Sequence, residues 1–265
     1  MGQVIQGDCL KILPTLPPQS VDLVFGSPPY EDCRSYGIGF NLKGRAWVDW
    51  MVRVYVESLR VCKGLVAFVV EGRTRHFSWS GTPALLMADL IRAGITLRKP
   101  PIYERDGIPG SGGPDWWKNR YEFIVCATNG GRLPWSDNTA MGHPPLFNPG
   151  GRPSNRRRDG SRISKTTAGS TAKKVEQWVN GDRPPGSRLH TKHGFDGVRQ
   201  RVYIPPELAN PGNVIDCGCA GGGRMGSPLA HENEAPFPEK LAEFFIRSFC
   251  PPGGAVASPK YGPRV

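Results

Sequence analysis

The chain has 265 residues, 38% of them apolar, and Lys and Arg exceed Asp and Glu by 34 − 23 = 11. That length can bury one large α/β core or two small ones, while 34 Gly and 27 Pro demand long irregular connections. Seven cysteines at scattered spacings form no disulfide framework, and the N-terminus MGQVIQGDCL lacks the charged start and apolar core of a signal peptide. No apolar run approaches the roughly 18 residues of a membrane span, so the chain reads as cytoplasmic, and its positive charge favours a polyanionic partner.

In chain order, Gln3 to Phe25 predicts a short strand at Val4 and Ile5, the turn Gly7-Asp8, a helical segment broken by Pro14, and a strand over Val21–Phe25. This is the outline of a βαβ unit. Trp47, Met51, Val54 and Leu59 lie along one face of an amphipathic helix that Gly64 ends, and the apolar run Leu65–Val70 is a strand buried on both faces. Thr82 to Ala93 predicts a helix, Ile95–Leu97 starts another strand before Pro100-Pro101, and Tyr121–Ala127 (YEFIVCA) is a fifth. Before it, GIPGSGGPDWW reads as an exposed loop where Trp116 and Trp117 either meet a base or pack on the core. Strands alternating with helices argue for an α/β fold with a largely parallel sheet.

Composition then changes. Between Gly151 and Gln200 there are 12 Lys or Arg against 4 Asp or Glu, a local net charge of +8 with little apolar periodicity. A solvated linker has the same composition, but Trp178, Phe195 and Tyr203 favour a loop-rich surface that orders on DNA. The last clear element is HENEAPFPEKLAEFFIRSFCPPGG. Pro238 sits in the first turn, Leu241, Phe244, Phe245 and Phe249 recur at helical spacing, and Pro251-Pro252-Gly253-Gly254 stops the helix. Its aromatic face reads as core.

The chemistry-bearing stretch is VDLVFGSPPYEDCRSYG, a buried strand running into Ser27-Pro28-Pro29-Tyr30. Open α/β sheets bind ligands at the carboxyl ends of their strands. Two prolines fix φ and lack N–H groups, so they present carbonyls in a rigid turn, and Tyr30 adds a flat aromatic face. A strand ending in Ser-Pro-Pro-aromatic resembles the catalytic motif of the DNA amino-methyltransferases. GDCLKILPTLPPQSVDLVFGSPPY is similar to that family's opening and catalytic strand over an uninterrupted stretch, and the basic segment lies where the family's β-type order puts target recognition.

The resemblance implies S-adenosylmethionine-dependent methylation of an exocyclic amine in double-stranded DNA, by direct transfer with no covalent enzyme intermediate. Ser27, Pro28, Pro29 and Tyr30 would be catalytic: a base amine is a poor nucleophile, and acceptors at the Ser27 hydroxyl and the Pro28 carbonyl draw its lone pair toward the donor. Asp8, Phe237 and Pro238 would border the cofactor; Arg156, Arg157, Arg158, Arg162, Lys173 and Lys174 would meet DNA. A serine before Pro-Pro favours cytosine N4, with adenine N6 as the alternative. Cytosine C5 chemistry needs a cysteine nucleophile, and Cys33 behind Asp32 fits it poorly. The implied fold is an incomplete Rossmann-like methyltransferase sheet with a basic insertion: residues 1–130 the catalytic half, 131–210 the target-recognition insertion, 211–265 a loop and helix leading toward the cofactor half.

The chain departs from the family after Gly254. Where the family has a strand ending Asp-Pro-Phe-x-Gly-Ser-Gly-Thr-Thr, this sequence reads AVASPKYGPRV, in which only Ala255-Val256 fits the strand and Pro259 and Pro263 oppose its continuation. The expectation is a shortened cofactor half, completed by a second chain or left as a non-catalytic DNA-binding remnant; an RNA or protein methyltransferase is a third reading, and a cognate restriction nuclease is a further expected partner. NVIDCGCAGGGRMGS contains Gly221-x-Gly223-x-x-Gly226, but Pro228 follows where a phosphate-binding helix would have to open. Cys217-x-Cys219 with His231 falls short of a zinc set, and no metal is expected.

Overall fold

The computed structural model describes residues 3–31, 40–105, 112–144, 207–217 and 238–259, together with the backbone of two short strands at 191–193 and 199–201. Two compact units emerge, one made of Met1–Ala140 with Gly212–Val265 and the other of Met141–Pro211. In the second unit, Thr191–His193 and Arg199–Arg201 pair antiparallel, and a bridge joins His143 to Ala209.

The first unit is built on one sheet. Helix α1 (Cys9–Ile12) is capped by the Asp8 carboxylate, which accepts from Leu10 N–H at 3.0 Å, and passes into a 3-10 turn at Leu13–Thr15 where Pro14 cannot continue an α-helix. Strand β1 (Val21–Gly26) follows, then helix α2 (Gly44–Val61) and strand β2 (Cys62–Val70). A short hairpin, β3 (Thr74–Arg75) and β4 (Ser78–Trp79), leads to helix α3 (Thr82–Arg92), β5 (Thr96–Arg98), β6 (Ile102–Glu104) and β7 (Tyr121–Thr128). With β8 and β9 the two strands of the second unit, β10 (Val214–Asp216), helix α4 (Glu239–Phe249) and β11 (Val256–Ala257) complete the chain.

The sheet order is β10-β6-β7-β2-β1-β11, with β5 also pairing to β7. β1 is parallel to β2 (Val24 opposite Val66) and to β11 (Leu23 opposite Val256), whereas β7 runs antiparallel to β2, β5 and β6. Six strands therefore point one way and β7 alone is reversed. Among the described residues between Leu97 and Tyr121 there is no helix, and the return through β7 is antiparallel.

Both faces of the sheet are covered, which is why β2 reads as an uninterrupted apolar run. Val24, Val66 and Phe68 face Trp47, Met51, Val54 and Tyr55 of α2 and Leu86 and Leu90 of α3. On the other face, Leu23, Phe25, Leu65 and Ala67 pack against Leu241 and Phe245 of α4, with the Phe25 and Phe245 rings stacked at 4.5 Å. The 11-residue α4 ends at Phe249, and Gly253 takes a φ of 76° in the turn that follows.

Three expectations are corrected. Val4 and Ile5 form no strand and lie 91% and 48% exposed, so their apolar side chains gain nothing by burial. The edge strand β11 forms at Val256–Ala257 rather than at Ala255. It is anchored by Asp22, whose carboxylate accepts from Ala255 N–H at 2.9 Å and pairs with Lys63 at 2.9 Å. Burial alone would raise the Asp22 carboxyl, but these two partners more than reverse it and hold it below the ordinary range. Finally, Gly64 does not stop α2, which ends three residues earlier; it lies inside β2, where a Cβ would fall 2.1 Å from the Asp22 carbonyl oxygen. Gly64→Ala must push β1 and β2 apart, and urea denaturation should show a loss of about 1–3 kcal/mol.

Candidate functional site

β1 delivers its carboxyl end at Gly26, and the next four residues make the turn. Pro28 and Pro29 are buried while Ser27 and Tyr30 are partly buried. The Trp47 indole, on the second turn of α2, donates to the Pro29 carbonyl at 2.8 Å. That bond locks the turn and leaves the Pro28 carbonyl without a donor among the described residues.

Glu31 fastens the far side of the motif. It is 2% exposed, so its carboxylate must be paired. It accepts from Gly44 N–H at the start of α2 (2.7 Å), from the Thr82 hydroxyl at the start of α3 (2.9 Å) and from Arg73 N–H (3.3 Å). A negative charge at two helix N-termini is electrostatically favoured, and one side chain thereby ties the motif to α2, α3 and the root of the β3–β4 hairpin.

The reversal of β7 brings its first residues to the same edge as the ends of β1 and β2. There the Tyr30 hydroxyl donates to Glu122 Oε2 at 2.6 Å, and Arg105 Nη1 pairs with Glu122 Oε1 at 2.7 Å. Glu122 is buried. Burial, then the Glu122 charge and its hydrogen bond, push the Tyr30 hydroxyl well above its ordinary value of 10.0; a hydrogen bond from Ser27 and the Arg105 charge pull the other way. Tyr30 is thus a permanently protonated donor. Glu71, at the end of β2, is also raised, first by burial and further by the charge of Glu122, against bonds from Gly72 N–H and the Trp79 indole.

The structure gathers Ser27, Pro28, Pro29 and Tyr30 at one corner. Asp8 caps α1 on the α2 side of the sheet, and Pro238 caps α4 on the opposite side. Phe237 and the basic residues Arg156, Arg157, Arg158, Arg162, Lys173 and Lys174 lie outside the described residues. Sequence reasoning missed Glu31, Glu71, Arg105 and Glu122. Two carried a signal: Glu122 interrupts an apolar strand and Glu71 closes one, and a carboxylate in such a place needs a partner.

Among the described residues the strongly exposed aromatics are Phe77, Trp79, Trp116, Trp117 and Tyr121. All five lie in segments that leave or enter the sheet at this one edge: the hairpin after β2, the β6–β7 connection and the start of β7. Trp116 and Trp117 are 69% and 80% exposed, with rings 5.2 Å apart, so they do not pack on the core.

A family model described as DNA methylase, covering N6 and N4 methyltransferases, matches residues 21–259. The chain belongs to this DNA methylase family. The orphan methyltransferase M.BamHII of Bacillus amyloliquefaciens is 28% identical over 254 residues, 92% of this chain and 77% of the relative. The DNA adenine methyltransferase YhdJ of Escherichia coli K12 is 40% identical over 80 residues, 28% of this chain and 25% of its own. Among solved structures, the cytosine-N4-specific PvuII DNA methyltransferase superposes with a TM-score of 0.56 at 18% identity, covering 94% of this chain and 71% of the other. The likeness establishes a shared fold. No helix among the described residues of this methylase is long and apolar enough to cross a membrane.

Tyr55, whose hydroxyl donates to the Val125 carbonyl at 2.8 Å, is raised like Tyr30, by burial first. For both, the folded value exceeds the unfolded one, so their contribution to stability is complete below about pH 10 and is lost as pH rises above it. Of the seven tyrosines, at least these two should stay un-ionised in an absorbance titration near 295 nm until alkaline unfolding. Tyr30→Phe should remove one late-titrating group and, by stranding the Glu122 carboxylate, cost about 1–3 kcal/mol.

Proposed function

We propose that this methylase transfers a methyl group from S-adenosylmethionine to an exocyclic amine in DNA, with cytosine N4 the preferred target. The observation that carries the reading is how the motif's polar groups are divided. The Pro29 carbonyl is taken by Trp47 and the Tyr30 hydroxyl donates to Glu122, while no donor among the described residues bonds the Ser27 oxygen. The Ser27 oxygen and the Pro28 carbonyl are then the two acceptors left for an amine. Both N–H groups of the amine are thereby held, and its lone pair is turned out of the ring toward the donor.

The residues present fit the cofactor. A Cβ on Gly26 would lie 2.9 Å from Ser258 Oγ, so this glycine keeps open a corner between the ends of β1 and β11 that ends in a hydroxyl. Asp8 uses one carboxylate oxygen on Leu10 N–H and keeps the other for a ribose or adenine donor. Pro238 and Phe237 would border the cofactor's opposite end. When bound, S-adenosylmethionine supplies an electrophilic methyl carbon. Tyr30, with its hydroxyl tied down, can present only its ring to an extruded base, and Glu71 at the same edge is an acceptor for the proton that the amine sheds.

The exposed aromatics support a nucleic-acid partner through stacking, and the charge of residues 151–200 supports one through phosphate contacts. Adenine N6 is kept as the second reading, because the adenine methyltransferase YhdJ shares 40% identity over 80 residues.

Incubation with S-adenosylmethionine and plasmid DNA, followed by nucleoside digestion and mass spectrometry, should yield N4-methylcytosine. N6-methyladenine would establish the second reading, and neither product would overturn both. Ser27→Ala should lower the yield roughly 100-fold or more with duplex affinity unchanged; joint loss of both would make Ser27 structural. Replacing Arg156, Arg157 and Arg158 by Gln should reduce the slope of log K against log salt by roughly 2–3, and an unchanged slope would place the phosphate contacts elsewhere.

A further inference from the structure

The β3–β4 hairpin has a turn that does nothing for the fold. Thr74 pairs with Trp79 and Arg75 with Ser78, leaving His76 and Phe77 as the two turn residues. Their φ angles are 48° and 59°. A two-residue turn of this kind requires positive φ at both positions and is ordinarily made by Asn-Gly; a bulky residue pays a steric penalty there. Phe77 accepts that penalty and recovers nothing by burial, since it is 94% exposed.

The hairpin's root, in contrast, is tightly held. Ser80 N–H donates to the Arg73 carbonyl at 2.9 Å, and Arg73 N–H reaches both Ser80 Oγ (3.0 Å) and the Glu31 carboxylate. The Trp79 indole bonds Glu71 over Gly72, where a Cβ would lie 2.4 Å from the indole nitrogen. The finger is thus anchored at its root on Glu31, the residue that directly follows Ser-Pro-Pro-Tyr, and carries an unburied aromatic at its tip.

We propose that Phe77 is a wedge that enters the base stack of duplex DNA beside the site. The choice of DNA as occupant rests on the function proposed above and on charge complementarity with a chain whose net charge is +11. Insertion between base steps unwinds the helix and fills the gap left by an extruded base. Strain kept at an exposed tip is what a contact of this kind requires and what a purely structural turn would have shed.

The test uses the full chain with closed circular plasmid relaxed by topoisomerase I, which needs neither the recognition sequence nor turnover, alongside methyl transfer to the same plasmid. Wild type should lower the linking number of the product. Phe77→Ala should bind duplex within about threefold of wild type yet leave the linking number at its protein-free value, and Phe77→Trp should restore the shift. Phe77→Gly should also lose unwinding while raising Tm by roughly 2–4 °C, because glycine relieves the turn. Unwinding by Phe77→Ala equal to wild type, absence of unwinding by wild type, or loss of self-association instead of unwinding in Phe77→Ala would each overturn the wedge. Methyl transfer without Phe77-dependent unwinding would leave the proposed function standing and remove this inference; unwinding without methyl transfer would do the reverse.

Discussion

The arrangement of this molecule turns on one buried carboxylate. Glu122 opens the reversed strand and is shared between the Tyr30 hydroxyl and the Arg105 guanidinium. A carboxylate in that position costs several kcal/mol unless paired, so burying it obliges the motif after β1 and the end of β6 to converge on the start of β7. The antiparallel insertion of β7 beside β2 is what permits this: in a wholly parallel sheet the first residues of β7 would lie at the opposite edge.

Glu31 repeats the same logic on the other side of the motif. Two buried carboxylates, Trp47 and two prolines consume nearly every polar group near the turn. Among the described residues what they leave uncommitted is small, the Ser27 oxygen and the Pro28 carbonyl, and under the proposed function this scarcity gives the corner its directionality. A turn whose carbonyls were all solvated would reorganise around an incoming amine, whereas one held from both flanks is already organised before the amine arrives.

Under the proposed function, affinity and stacking fall to different parts of the chain. Most of the excess positive charge lies in residues 151–200, while the exposed rings gather at the carboxyl edge of the sheet. Charge-based attraction is long-ranged and tolerant of geometry; stacking demands rings at fixed positions, and the scaffold supplies those from strand ends and from a hairpin rooted on Glu31.

The local signals in the chain determined the elements themselves. The spacing of Trp47, Met51, Val54 and Leu59 specified α2, the unbroken apolar run to Val70 specified β2, the aromatics after Pro238 specified α4, and Ser-Pro-Pro-Tyr specified the stiff turn after β1, because periodicity and proline chemistry act between near neighbours. Glu31, Arg105 and Glu122 were illegible as a set: their partners lie up to 92 residues away, and nothing in composition says which carboxylate meets which hydroxyl. The place of Gly64 inside β2 was likewise decided by the approach of the Asp22 carbonyl. Only tertiary structure settles such matters, since strand pairing and the compensation of buried charge depend on where distant segments finally lie.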